Sequence, residues 1–148
     1  MEKFQRIQAK VKRILVEEFG KLISEDEEAF IFECNDAIVT LSFIRHDPSD
    51  EEGRIFLEFG AQVAFVDEVT DELKSWIAFR GAEFLIGTFV LQKVGEGAGV
   101  IFRYRMLGDD IDPSEIYVAS YAVAETVNIF GPEFDSGLYS SDLSEVED

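Results

Sequence analysis

The chain of 148 residues is 47% hydrophobic and contains 14 phenylalanines, which excludes a largely disordered protein and is enough for one domain-sized core. Its net charge of -18 repels the phosphates of nucleic acids and of anionic membranes, so we expect neither as a partner. The single cysteine, Cys34, excludes an internal disulfide, and no segment resembles a signal peptide or a membrane span. Together these features predict a cytoplasmic protein.

The N-terminal segment predicts an amphipathic helix, because its apolar residues recur at helical spacing: Phe4, Ile7, Val11, Ile14, Leu15 and Leu22. Lysine and arginine residues occupy another side of the same helix. One apolar stripe is typical of a helix on a globular core, and we prefer that interpretation to a membrane-surface helix. The acidic run at residues 24–28 then indicates a loop.

Alternation of period two follows and predicts three strands. Two of them, at residues 29–34 and 37–46, flank Asn35-Asp36, a pair that favours a tight hairpin turn. The third covers residues 54–66 and contains Gly60, where we expect a bulge or a bend.

A second helix is predicted to begin after Thr70, a good N-cap, and to run toward Gly81. Residues 87–106 then predict two strands joined by a glycine-rich turn at residues 95–99.

The last helix is predicted from a capping box, in which Asp112 is the N-cap, Pro113 the first helical residue and Glu115 the residue that bonds back. Its apolar stripe stops at Gly131-Pro132, where we expect the helix to end. Residues 133–148 contain no lysine or arginine and show no period, which predicts a flexible acidic tail.

The order of elements, α-βββ-α-ββ-α, predicts an α+β domain over residues 1–132, followed by the tail at residues 133–148. The connections within each group of strands are too short for crossovers. We therefore expect a five-stranded, mainly antiparallel sheet with the helices packed on one face.

The second strand pair and the start of the last helix resemble the YbjN-like branch of the type III secretion chaperone-like superfamily. The resemblance lies in FLIGTFVLQKVGEGAGVIFRYRMLGDDIDPSEI: Leu85, the Gly-x-Phe at residues 87–89, the glycine-rich turn, residues 102–104 and the loop into the proline-started helix. Ile86 stands where the family usually has a proline. The resemblance covers residues 4–130 and implies a small dimeric domain that holds extended segments of other proteins, without ATP and without catalysis.

Candidates for catalysis or metal binding are few. Cys34 continues the apolar alternation of its strand, so we interpret it as core filler rather than a reactive thiol. His46, the only histidine, is interpreted as a surface residue at a strand end. The carboxylates at residues 109–115 lack the glycine and the distal glutamate of a calcium loop, and the glycines at 95, 97 and 99 join two strands rather than open a helix. We predict no catalytic residue, no bound metal and no cofactor.

Alternation divides the strand residues into two faces. One is a continuous apolar layer that three helices can cover. The other mixes apolar and polar residues, which is typical of a protein–protein surface. We predict that a partner is bound there by Ile31, Ile38, Ile44, Phe56, Val90, Ile101, Arg103 and Arg105, with the two arginines able to hold carboxylates or carbonyls.

The preferred functional hypothesis is a non-enzymatic chaperone-like or adaptor protein that binds an extended polypeptide segment of a client and forms a homodimer. A second interpretation of the mixed face is that the homodimer or one of the helices covers it. The alternative function is an acidic polyanion mimic that titrates a basic partner through residues 24–72 and the tail. Salt separates the two functions, since it should weaken mimicry steeply and apolar capture only slightly.

Overall fold

The computed structural model describes residues 2–50, 52–81 and 86–136. The elements are α1 (Lys3–Phe19), β1 (Ser24–Glu25), β2 (Ala29–Cys34), β3 (Ala37–Arg45), β4 (Ile55–Val66), α2 (Asp71–Gly81), β5 (Thr88–Val94), β6 (Gly97–Leu107) and α3 (Pro113–Ser136). The α+β class and the order of the predicted elements are confirmed, with one short strand added.

The strands form one antiparallel sheet of order β1-β2-β3-β4-β6-β5. The additional strand, β1, lies in the acidic run at residues 24–28, for which only a loop was predicted. The Asp26 carboxylate accepts hydrogen bonds from the backbone N–H groups of Glu28 (2.7 Å) and Ala29 (2.9 Å), and the chain turns there. This turn brings Ser24 opposite Ile31, so local side-chain bonding folds the acidic run back onto β2.

All three helices pack on one face of the sheet, here called the core face. The ring of Phe4 in α1 contacts Phe43 at 5.9 Å between centroids. Phe89 of β5 contacts both Trp76 of α2 (5.2 Å) and Phe130 of α3 (5.7 Å). The alternating strand residues and the helix stripes therefore meet in a single core. Its buried strand residues include Phe30, Phe32, Cys34, Val39, Leu41, Ile55, Leu57, Phe59, Val100 and Phe102.

The predicted starts of the last two helices are confirmed. The backbone N–H of Leu73 donates to Thr70 Oγ1 at 3.1 Å. The backbone N–H of Ser114 donates to Asp112 Oδ1 at 2.9 Å, and that of Asp112 donates to Glu115 Oε1 at 3.3 Å, so Asp112 caps the helix and Glu115 bonds back to it. Hydrogen bonds from Ser114 hold the pKa of the Asp112 carboxyl below its ordinary value.

The first helix is shorter than its apolar stripe suggested. It ends at Phe19, because Gly20 adopts φ 85° and donates its N–H to the carbonyl of Val16. Leu22 therefore packs against the core from the loop beyond the helix.

The last helix is longer than predicted: it does not end at Gly131-Pro132 but continues to Ser136. The ring of Phe134 packs against Trp76 with centroids 4.8 Å apart, and this burial stabilises the final turn despite the proline. The first residues of the predicted tail thus belong to the helix, and residues 137–148 lie outside the described residues.

The first hairpin turn is the predicted pair. Asn35 and Asp36 have φ values of 47° and 67° and join the paired residues Cys34 and Ala37, as a two-residue hairpin turn of this kind requires.

The second hairpin turn is tighter than predicted. Val94 pairs with Gly97, so the turn is Gly95-Glu96 alone rather than the whole stretch 95–99. Gly97 belongs to β6 and has a packing role, because a Cβ there would collide with the carbonyl oxygen of Val66.

The bulge in β4 does not lie at Gly60, where a bulge or bend was predicted, but further along the strand. Gly60 keeps regular pairing, whereas the register of β4 against β6 shifts between Gln62 and Ala64. The inserted residue, Val63, reverses the alternation, so Phe65 turns away from the core face.

One acidic residue fastens α1 to the loops at its N-terminal end. The Asp109 carboxylate pairs with Lys3 Nζ and accepts a hydrogen bond from the backbone N–H of Ile55 at 3.2 Å. Lys3 Nζ also donates to the carbonyl of Gly53 at 3.1 Å. Burial raises the pKa of the Asp109 carboxyl, but the hydrogen bonds from Lys3 and Ile55 outweigh it and the net pKa is lowered.

Candidate functional site

The face of the sheet opposite the helices, here called the open face, carries the residues predicted to bind a partner. None of the described helices packs on it, so the interpretation that a helix covers this face is wrong for the residues described. Strand pairing and alternation place the full predicted set there: Ile31, Ile38, Ile44, Phe56, Val90, Ile101, Arg103 and Arg105.

An open groove of about 730 Å³ lies over the middle of this face, within the size range of ligand sites. Its floor is Gly60, which lies between Thr40 on β3 and Arg103 on β6. A Cβ added to Gly60 would meet no atom closer than 3.8 Å, so the missing side chain leaves usable space above the sheet. The other lining residues are Ser42, Glu58, Ala61, Gln62, Val90, Leu91, Gln92 and Ile101.

Apolar side chains flank the groove at one end of the sheet. Phe56 on β4 is paired with Ile44 on β3 and with Leu107 on β6, so these three residues form one row. Phe56 and Ile44 are partly buried, and Leu107 is 44% exposed. Leu107 was not predicted, although alternation continued beyond Arg105 would have indicated it.

A second set of apolar side chains, here called the turn-end patch, lies at the end of the sheet that carries the two hairpin turns and consists of Ile38, Phe65 and Val94. Their exposed fractions are 52%, 50% and 53%. The ring of Phe65 lies over Gly97, whose cross-strand partner is Val94. Only Ile38 was predicted; Phe65 was missed because the bulge reverses the alternation, and no local sequence signal marks that reversal.

Both predicted arginines reach toward one carboxylate on the open face. Arg105 Nη2 donates to Glu58 Oε1 at 2.7 Å, and Arg103 Nη1 lies 3.6 Å from the same oxygen. A partner's carboxylate would therefore have to exchange with Glu58 to reach them. Because exposed pairs of this kind contribute about 1 kcal/mol or less, that exchange costs little.

The open face is electrically balanced, although the chain has a net charge of -18. Its charged strand residues in β2 to β6 are Glu33, Glu58, Arg103 and Arg105, two of each sign. Even an acidic polypeptide can approach such a surface without strong charge repulsion. The remainder of this acidic protein would repel such a partner.

The two residues considered for catalysis lie apart from the groove. Cys34 is buried on the core face, where burial and, to a smaller extent, the charge of Glu18 raise the pKa of its thiol to about 11. The thiol is therefore protonated and unreactive at neutral pH. His46 lies beyond the end of β3, where its backbone N–H donates to the carbonyl of Arg54 at 3.0 Å.

Metal-binding clusters and membrane-spanning helices are both absent from the described residues. No group of three or more histidine, cysteine, aspartate or glutamate side chains with metal-binding geometry occurs in residues 2–50, 52–81 and 86–136. Over those ranges, none of the helices combines the length and the apolar character needed to cross a bilayer.

No protein-family model and no curated protein matches the chain. A solved structure does match, described as "Crystal structure of YbjN, a putative transcription regulator from E. coli". The TM-score is 0.62 at 10% sequence identity, over 88% of this chain and 93% of that one. A likeness at this identity concerns the fold, and it agrees with the YbjN-like pattern seen in the second strand pair. The chain therefore has a YbjN-like α+β fold.

Proposed function

We propose that this protein is a non-enzymatic binding protein whose open face holds an extended segment of another polypeptide, in the manner of a chaperone or adaptor. The observation that carries the proposal is the groove above Gly60. It combines about 730 Å³ of open space with an electrically balanced, partly apolar surface that no described helix covers.

Apolar contacts supply the binding free energy in this proposal. Burying one large apolar side chain contributes about 1.5–3 kcal/mol, and association itself costs about 4–15 kcal/mol. Several anchors are therefore required, and the face offers Phe56, Val90 and Ile101 in and beside the groove. The hydroxyl of Thr40 and the amide of Gln62 can hydrogen-bond the backbone of an extended segment and fix its direction.

The likeness to YbjN supports a role in binding rather than in catalysis. That protein is described as "a putative transcription regulator", and a regulator acts by contacting a partner. At 10% identity the likeness does not carry a partner over, so the proposal for this chain depends on the groove.

The proposal includes a homodimer, for which the open face offers a suitable surface. A face with two positive and two negative side chains can meet its own copy, because a two-fold axis that lies between opposite charges pairs the arginines of one protomer with the glutamates of its partner. Sedimentation of the protein across a wide concentration range tests this part.

Two variants test the groove. In Gly60→Leu the new side chain fills the groove without a backbone clash, and in Phe56→Asp a charge replaces an apolar anchor. We expect each to weaken binding of a fluorescein-labelled alternating Ile/Ser peptide by about tenfold or more, with an unchanged circular dichroism spectrum. The matched control is Val118→Asp, at a residue 61% exposed on α3, which should bind as the parent does.

Equal peptide binding by the parent, Gly60→Leu and Phe56→Asp would contradict the proposal. If Phe56→Asp loses its fold, Phe56 is a core residue and Gly60→Leu alone decides. If both variants change only the sedimentation coefficient and not peptide binding, the open face is a dimer interface instead.

A further inference from the structure

The turn-end patch, Ile38, Phe65 and Val94, is surrounded by carboxylates. Glu33 is the cross-strand partner of Ile38, and Asp36 lies in the adjoining turn. Asp67 and Glu68 follow the last residue of β4, and Glu96 lies in the turn between Val94 and Gly97. The rim of the patch is thus formed by five exposed residues: Glu33, Asp36, Asp67, Glu68 and Glu96.

The rim residues belong to one end of the sheet rather than to scattered loops. A Cβ at Gly97 would lie 3.2 Å from the Cα of Asp67, which places the chain beyond β4 directly against the second hairpin. The pairing of β2 with β3 puts Glu33 and Asp36 at the same end as these residues. Lys93 is the one exposed lysine in the adjoining part of β5, so the charge of the rim is strongly negative.

We propose that the turn-end patch docks a cationic segment that carries apolar side chains, and that this segment is the basic end of the polypeptide held on the open face. The inference rests on the proposed function and gives the partner's chemistry. Two features of the patch favour both properties: half-exposed apolar side chains gain free energy when an apolar counterpart buries them, and five carboxylates that become partly desolvated need positive charge.

The charge also selects against other partners. An acidic segment would be repelled by the rim, and a neutral segment would bury carboxylates without compensation. A free metal ion or a polyamine would leave Phe65 and Ile38 unused. The net charge of the chain attracts a basic partner from a distance, while the rim determines where it docks.

The patch is continuous with the groove, so one extended segment can occupy both. Gln62 on β4, Ile101 on β6 and Val90 on β5 are paired in one row across the sheet. All three residues line the groove. Ile38 lies two residues from Thr40, which also lines the groove. A segment can therefore place basic residues over the rim and apolar residues in the groove.

The test uses the full-length protein and three fluorescein-labelled ten-residue peptides, which alternate isoleucine with lysine, serine or glutamate. We expect the lysine peptide to bind about tenfold more tightly than the serine peptide at low salt, and the glutamate peptide to bind least. In the rim variant Glu33→Gln/Asp36→Asn/Asp67→Asn/Glu68→Gln/Glu96→Gln, the affinity for the lysine peptide should fall to that for the serine peptide.

The control variant removes five other exposed carboxylates and has the same net charge: Glu17→Gln/Glu27→Gln/Glu28→Gln/Asp110→Asn/Glu125→Gln. It should keep its affinity for the lysine peptide within about twofold of the parent. Equal losses in the two variants would overturn the inference, because net charge alone would then explain the binding.

The apolar part has its own pair of variants. Phe65→Ser should weaken binding of the lysine peptide about fivefold, whereas Phe79→Ser, at a residue 62% exposed on α2, should not. Unchanged binding by Phe65→Ser would overturn the apolar half of the inference.

Failure of this inference is distinguishable from failure of the proposed function. If Gly60→Leu abolishes binding of the serine peptide and the rim variant has no effect, the groove function is supported and the cationic docking is overturned. The reverse pattern, in which the rim variant loses the lysine peptide and Gly60→Leu does not, supports the patch and overturns the groove. Binding of none of the peptides overturns both.

Discussion

The two faces of the sheet are built from the same strands but have opposite properties. Along β4, Leu57 and Phe59 are fully buried beneath the helices, whereas Phe56 and Glu58 beside them are only partly buried. The core face is apolar where the helices cover it, and the open face combines apolar side chains, balanced charges and a groove. Stability therefore depends mainly on one face, and the other is available for a partner.

The largest expected difference separates two adjacent residues of β4. Leu57→Ala should lower the free energy of unfolding by about 2–5 kcal/mol, because it leaves a cavity in the core. Phe56→Ala should lower it by about 1 kcal/mol or less, because no helix packs on its side of the sheet. Urea denaturation measures both, and similar losses would show that the open face is also part of the core.

The next largest difference in stability is expected between substitutions at two glycines of the open face, Gly97 and Gly60. Gly97→Ala should destabilise the protein by about 1–3 kcal/mol, because the new Cβ meets the carbonyl of Val66 and the ring of Phe65. Gly60→Ala should leave stability unchanged or raise it by up to about 1 kcal/mol, since its nearest neighbour would be 3.8 Å away. A marked loss in Gly60→Ala would mean that the groove is not open space.

The ion pair between Lys3 and Asp109 at the N-terminus of α1 should give an effect of similar size that depends on pH. Asp109→Ala should cost about 1.5–3 kcal/mol at neutral pH, because it removes charged hydrogen bonds to Lys3 and Ile55. The folded-state pKa of Asp109 is lowered, so its contribution is present above the unfolded value of about 4 and is lost as the pH falls through the folded value.

Unfolding of parent and Asp109→Ala at several pH values checks this sign. The difference between the two proteins should shrink below pH about 4. Val118→Ala, which removes no titratable group and lies at an exposed residue of α3, should show no such trend. A difference that grew on acidification would contradict the assigned hydrogen bonds.

The smallest expected effect concerns the core-face thiol. Because the pKa of Cys34 is raised to about 11 and the side chain is buried, a thiol reagent at neutral pH should label it only after the protein opens. Labelling should therefore be slow in the native protein and fast in urea. Fast labelling under native conditions would show that this part of the core face is accessible.

The core face was predictable from sequence because each buried residue follows a period that the chain repeats. The alternation around Asn35-Asp36 and the caps at Thr70 and Asp112 specified strands and helix starts locally. Predictions based on one local residue type were less accurate: Gly131-Pro132 did not end α3, because the tertiary contact of Phe134 with Trp76 outweighs the local preference.

The sequence predicted which strand residues lie on the open face but not the groove that they form. Its strand residues follow from alternation, yet the groove exists because Gly60 is placed between Thr40 and Arg103 by pairing across three strands. Phe65 changed face through the bulge at Val63, which only the register with β6 reveals. Pairing partners are long-range information, and a single sequence does not contain them explicitly.

The most direct test follows the isoleucine methyl groups by NMR, because the isoleucines divide between the faces. On addition of the lysine peptide, the δ1 methyl resonances of the open-face residues Ile31, Ile38, Ile44 and Ile101 should shift. Those of the core residues Ile7, Ile14, Ile55, Ile111 and Ile116 should remain in place. Shifts confined to the core residues, or no shift at saturating peptide, would contradict the claim that the open face is the binding surface.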